Sequence, residues 1–162
     1  NEKYLISEND TYTFQELNAG VLKFFPECSG IYKIYIPNDF EIIFRTETDA
    51  PYKAYPVDVL QEKWKTICKY PGYEDGLLYI GSSINLKKRM RQYVRTGYGK
   101  RAQHSGGRAI FQLENNKQLL VKVFVCENYK EREAEEIKTY KMHRTVWPLA
   151  NWQDGTSKCE LT

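Results

Sequence analysis

Two short runs constrain what this chain can fold into more than any other feature: GIYKIYI at residues 30–36 and GLLYIG at residues 76–81. Both are rich in β-branched and aromatic residues, and Pro37-Asn38 closes the first, so each reads as a strand. Around them the apolar pattern switches to helical spacing. Thr13 followed by Glu16 is a capping-box pattern that opens a short helix ended near Pro26. Val57, Leu60, Trp64 and Ile67 recur at helical intervals before Pro71-Gly72 stops them. Asn85 caps a helix that carries Leu86, Met90 and Val94 on one stripe. Residues 107–115 read as a short helix, 118–127 as a buried strand and 129–144 as a helix. Residues 40–47 read as a second strand, and 145–155 as a loop or edge strand. This alternation predicts an α/β (α+β) domain: a small mixed, mainly antiparallel β-sheet flanked by helices.

Charge is distributed unevenly along that framework. Eight basic residues (Lys87, Lys88, Arg89, Arg91, Arg95, Lys100, Arg101 and Arg108) fall between Ser82 and Arg108 with no acid among them, in a chain of net charge +3. The rest of the chain is therefore net acidic. Such a local field suits a polyanion, although a solvated basic surface accounts for the charge equally well. A length of 162 residues with 14% aromatic and 28% charged residues is the composition of one globular domain. No apolar run reaches the length of a bilayer span, and no signal-peptide core is present, so no membrane partner is expected. Cys28, Cys68, Cys126 and Cys159 form no C-x-x-C pair. That argues against a zinc site and points to a reducing, intracellular (cytoplasmic) setting.

Two side chains stand out on helical wheels. Arg89 and Tyr93, an i,i+4 pair, lie at the border of the Leu86/Met90/Val94 stripe, whereas Lys88, Arg91 and Arg95 face away from it. Arg89 could simply snorkel beside the core and Tyr93 pack with a wet hydroxyl. On the helix at 129–144, Glu133 sits about 40° from Ile137, with Tyr140 on the same face. Glu131, Glu135 and Glu136 lie 100° or more away by the same wheel. An inward carboxylate needs a cation, either an arginine or a hard metal ion such as Mg²⁺.

Taken in order, these elements resemble the GIY-YIG nuclease family. SGIYKIYI and LLYIGS match the two strand motifs, and Arg89-x-x-x-Tyr93 is similar to the family's helix motif. EAEEIK at residues 133–138 and WPLAN ending at Asn151 resemble its glutamate and closing asparagine elements. The resemblance covers about residues 29–155, which makes 1–28 an N-terminal helical extension and 156–162 a tail. It implies a metal-dependent DNA endonuclease of a restriction or mobile-element system, with Tyr32, Tyr79, Arg89, Tyr93 and Glu133 as catalytic residues. Glu133 would hold one Mg²⁺ (or Mn²⁺) per active site. Arg89 would neutralise charge on the phosphate. One phenol would orient or deprotonate the attacking water, its pKa lowered by nearby positive charge. DNA contacts are expected from Lys87, Lys88, Arg91, Arg95, Lys100, Arg101, His104, Arg108 and Asn151. Gly106 and Gly107 would let backbone approach a phosphate or start the next helix.

One departure from the family pattern is plain. Tyr32 and Tyr79 lie 47 positions apart, where the family joins these strands by a short hairpin. An insertion at about 38–75 therefore separates the first two core strands, either as an added layer on the sheet or as a target-reading element. A catalytically inert nucleic-acid-binding module and an RNA-directed nuclease are the alternative functions. The oligomeric state is left open, a dimer being one option.

Overall fold

The computed structural model describes residues 10–72, 74–101 and 106–154. Its centre is a four-stranded sheet of β1 (Tyr12–Thr13), β2 (Gly30–Tyr35), β3 (Leu77–Ser83) and β4 (Leu120–Val125), in the spatial order β1-β4-β2-β3. The mainly antiparallel sheet expected is antiparallel at every pairing among these strands. Four helices accompany it: α1 (Phe14–Asn18), α2 (Val57–Cys68), α3 (Leu86–Gly97) and α4 (Tyr129–Arg144). The capping box is formed, with Glu16 N–H donating to Thr13 Oγ1 at 3.0 Å and Thr13 N–H to Glu16 Oε1 at 2.9 Å. Among the described residues no helix is long and apolar enough to cross a membrane.

Strand alternation sorts the sheet into two faces. On one, Tyr32 and Ile34 of β2, Tyr79 and Gly81 of β3, and Val121 and Val123 of β4 lie beside one another. Phe14, Leu17, Met90, Val94 and Phe111 join them in the main core. Residues 12–25 thus enter the same core as the motifs, through β1 and the buried Phe14, Leu17 and Phe25. The opposite face packs Leu77 and Ile80 on Ile137 and Tyr140 of α4. Lys33 opens on that side too, only 2% exposed, held by Glu74 at 2.6 Å and Glu136 at 3.0 Å. Glu136, expected on the solvent side of its helix, is drawn in by this buried ammonium, which has to be paired.

One strand assignment changes, and one strand is less buried than expected. Residues 40–47 make only an isolated bridge, Phe44 to Leu113, and do not join the four-stranded sheet. Arg45 N–H donates to Gln112 O at 2.7 Å, and Glu114 N–H donates to Ile43 O at 2.9 Å. The segment 118–127 forms the expected strand, β4, but is fully buried on one face only: Val121 and Val123 are inside, while Lys122 and Phe124 on the other face are half-buried. Residues 107–115 do form a helical turn, a 3₁₀ segment at Arg108–Gln112 with Ala109 to Gln112 buried. Residues 145–151 form a loop along the free edge of β3. There Ala150 N–H donates to Leu78 O at 2.8 Å, and Asn151 exchanges two side-chain bonds with the Ile80 backbone, each 2.9 Å. These bonds cover the edge of β3 at Leu78 and Ile80.

The insertion is fastened to the 3₁₀ turn by one buried side chain. The Gln112 amide accepts from Tyr55 N–H at 2.7 Å and donates to Tyr55 O at 3.0 Å and Arg45 O at 3.1 Å. Gln112→Leu leaves those backbone groups unsatisfied, at about 1–3 kcal/mol for a buried donor or acceptor. We expect a lowered Tm and faster proteolysis between residues 40 and 56, read by thermal melting and limited digestion. An unchanged digestion pattern would mean that the insertion is held by other contacts.

Candidate active site

Three tyrosine rings form a nearly equilateral triangle against the sheet. Tyr32, Tyr79 and Tyr93 have centroid separations of 5.9, 6.0 and 5.8 Å. Their positions follow from local sequence. Tyr32 lies directly opposite Gly81, where an added Cβ would stand 2.4–2.7 Å from the Tyr32 ring, so the glycine makes room for the phenol. Tyr93 reaches in from α3, fully buried against Phe14 and Phe111, and donates its hydroxyl to Gly107 O at 2.7 Å. That hydroxyl is inside the protein rather than wet. Gly107 takes a left-handed conformation (φ 72°), and a Cβ there would meet Tyr93 and Tyr79 at 2.5–2.8 Å. Its second expected role holds: it starts the 3₁₀ turn while leaving space for two phenols.

Arg89 and Glu133 complete the group. The charge of Arg89 favours the ionised forms of Tyr32, Tyr79 and Glu133, so this cation acts on all three. Burial nevertheless dominates at every phenol: Tyr32 and Tyr93 rise well above the ordinary tyrosine value, and Tyr79 rises too, with the Glu133 charge adding to the effect. The expected lowering of a phenol pKa therefore fails in direction, because loss of water outweighs one guanidinium. Glu133 itself is pushed up by burial, while a hydrogen bond from Ser82 Oγ and the Arg89 charge oppose the rise. Ser82 escaped the sequence reading. Its signal was strand alternation, since Ser82 follows Gly81 and so points to the α4 face.

Tyr79 and Glu133 border a cleft of about 240 Å³ whose other walls include Gly107, Arg108, Tyr55 and Trp152. Tyr55 belongs to the insertion and stacks on Trp152, with centroids 5.1 Å apart and 26° between planes. Lys63 of α2 sits 3.7 Å over Trp152 and donates to the carbonyls of Leu149 and Asn151. Burial pushes the Lys63 ammonium down to about 7. No periodicity in the sequence marked Tyr55, Lys63 or Trp152, because their roles come from long-range packing.

The expected DNA-contacting residues separate into groups. Lys88, Arg91, Arg95, Lys100 and Arg101 are exposed. Lys87 is half-buried and donates to Lys23 O at 3.1 Å, close to Glu27. Arg108 alone of the described basic residues between Ser82 and Arg108 lines the cleft. Asn151, expected on DNA, instead spends both ends of its amide on the Ile80 backbone and holds the edge of β3. His104 lies outside the described residues.

A buried triangle of phenols, an arginine and an inward glutamate gathered around the paired strands GIY and YIG is thus in place. The model of the family described as the GIY-YIG catalytic domain matches residues 64–146. The chain belongs to the GIY-YIG family. No curated protein and no solved structure matches it. The GIY-YIG match begins inside α2 and so omits β2, which the insertion moves far from β3 in sequence. Pairing restores the motif in space, with Gly30 opposite Ser83 and Tyr32 opposite Gly81. Membership in this family makes nucleic acid the substrate class and nuclease chemistry the expected activity.

The donor set fits a hard cation. Among the described residues no three His, Cys, Asp or Glu side chains gather as a complete cage. Glu133 supplies a single carboxylate at an open cleft, and Mg²⁺ characteristically keeps several waters and completes its shell with substrate phosphate. The raised pKa of Glu133 also has a stability consequence. A carboxyl whose folded pKa exceeds its unfolded value favours the native state below the unfolded value and loses that contribution as pH rises through the folded one. Glu133→Gln should therefore melt at or above the wild-type Tm at pH 7, by a few degrees at most, on the scale of about 2–4 °C per kcal/mol for a chain this size. The gap should close as pH falls toward the ordinary carboxyl value of 4.5. A variant clearly less stable than wild type at pH 7 would mean that the Ser82 and Arg89 contacts outweigh burial.

Proposed function

We propose that this protein is a metal-dependent DNA endonuclease that hydrolyses phosphodiester bonds, serving a restriction or mobile-element system. The observation that carries the reading is the convergence of Glu133 and Tyr79 at one cleft, both within the field of the Arg89 charge, with Tyr32 and Tyr93 packed behind. A bound Mg²⁺ or Mn²⁺ on Glu133 would supply charge stabilisation to a phosphate oxygen and the leaving oxygen. Arg89, whose charge acts on both Tyr79 and Glu133, would offset the negative charge that grows on the phosphate as water attacks phosphorus. Tyr79 is the phenol that reaches the cleft. Tyr32 is 2% exposed, and the Tyr93 hydroxyl is occupied by Gly107. Tyr79 therefore orients the attacking water, with Tyr32 hydrogen-bonded behind it. At neutral pH all three phenols hold their protons, so Tyr79 acts first through its hydrogen bond. A nearby cation would lower its pKa toward the range of a general base. The exposed cations of α3 supply the sequence-independent attraction to the backbone.

Supercoiled plasmid incubated with Mg²⁺ should be nicked or linearised, and EDTA should stop the reaction. Arg89→Ala should lose about 10²-fold or more in cleavage rate at saturating DNA, the scale for one transition-state donor. Arg91→Ala, on the exposed side of α3, should weaken binding and leave the saturated rate nearly intact. Glu133→Gln should abolish cleavage while still binding DNA. Cleavage that persists in EDTA would refute the metal role. A wild-type protein that binds DNA but never cuts it would assign the inert binding module, and cleavage confined to RNA would assign the RNA-directed nuclease.

A further inference from the structure

Several partly buried cations in this protein are paired with carboxylates, and Lys63 is held by two backbone carbonyls. Lys33 has Glu74 and Glu136, Arg45 and Lys117 share Asp49, and Arg144 has Asp75. Arg108 breaks the pattern. Among the described residues it has no carboxylate within ion-pair distance, and its Nε is buried without a hydrogen-bond partner. What holds it is aromatic: the guanidinium carbon lies 4.9 Å from the Tyr55 ring centre and 5.5 Å from that of Tyr52. Ring faces attract a guanidinium without neutralising it or using up its N–H donors. The result is a half-buried, uncompensated positive charge on the wall of the cleft that contains Glu133.

The two rings come from the insertion, and Tyr55 is fixed from three directions. Its backbone N–H and C=O are both bonded to the Gln112 amide, and its ring stacks on Trp152, which Lys63 covers. Gln112 closes the 3₁₀ segment that Arg108 opens, so the rings and the guanidinium are tied to the same short turn. We propose that the insertion positions Arg108 as a second phosphate clamp, whose ligand is the DNA backbone phosphate neighbouring the one at Glu133 and Arg89. Tyr52 and Tyr55 are positioning residues: they aim a charge that they do not themselves carry. The insertion is then neither a passive layer nor a reader of bases, but part of the backbone-gripping surface. This inference rests on the nucleic-acid reading of the cleft.

The test measures binding alone, by fluorescence anisotropy of a labelled DNA duplex with the Glu133→Gln protein over a series of salt concentrations. Each phosphate contact contributes about 0.9 to the slope of log K against log salt. Adding Arg108→Ala should reduce the slope by about one such contact. Tyr55→Leu removes no charge, yet it should reduce the slope by a similar amount, and Tyr55→Phe should restore it. Arg108→Ala combined with Tyr55→Leu should lose no more than either alone. Should Tyr55→Leu fail to fold, Tyr52→Leu, at the outer ring, carries the same test. An unchanged slope in Arg108→Ala, or a Tyr55→Leu protein that binds more weakly at every salt with its slope intact, would overturn the proposal. Because the readout needs no cleavage, it separates from the nuclease reading: a protein that never cuts DNA could still show the two matched slope losses.

Discussion

The contact of the Tyr32 ring with Gly81 is the one on which the rest of the site depends. It fixes the register of β2 on β3, since a slip of one residue would turn Tyr32 to the α4 face and bring a side chain under the ring. With the register set, Tyr79 falls beside Tyr32, and Tyr93 closes the triangle from α3. Ser82, one step along β3, is then presented to Glu133 on the other side of the sheet. Both sides of the chemistry follow from one glycine opposite one tyrosine.

Desolvation sets the chemical character of the cluster. Three buried phenols and an inward carboxylate all resist ionisation, and Arg89 only partly offsets this. Elsewhere the protein matches several partly buried charges internally, as Lys33 is matched by Glu74 and Glu136. At the cleft it leaves a carboxylate and a guanidinium that need charges from outside. A cation and a phosphate chain together satisfy both demands, which gives a physical sense to binding them as a unit.

Much of this was legible from the residues. β-branched runs located β2 and β3, and the i,i+4 stripe of Leu86, Met90 and Val94 located α3. The wheel position of Glu133 singled it out correctly from Glu131 and Glu135. What escaped has a common cause: it depends on which backbone groups are already satisfied. Residues 40–47 have strand-like composition, yet they pair only at Phe44 with Leu113, outside the sheet. Asn151 has a polar side chain fit for DNA, yet the uncovered edge of β3 claims it. Glu136 lies off the packing face by angle, yet it follows Lys33 inward. Tyr55 and Trp152 meet across almost the whole insertion and the following domain, a distance over which local pattern carries no information.

The clasp of Lys63 on the carbonyls of Leu149 and Asn151 joins positions 86 and 88 residues apart, and Asn151 reaches Ile80 across 71. Contacts of such separation form late, because the loops they close must be ordered before any of them contributes. During synthesis, a chain that has not yet emerged as far as Leu149 has the edge of β3 bare and one wall of the cleft missing. Assembly of the candidate site is thereby coupled to completion of the domain, and a partly made chain is denied a complete cleft by its own topology.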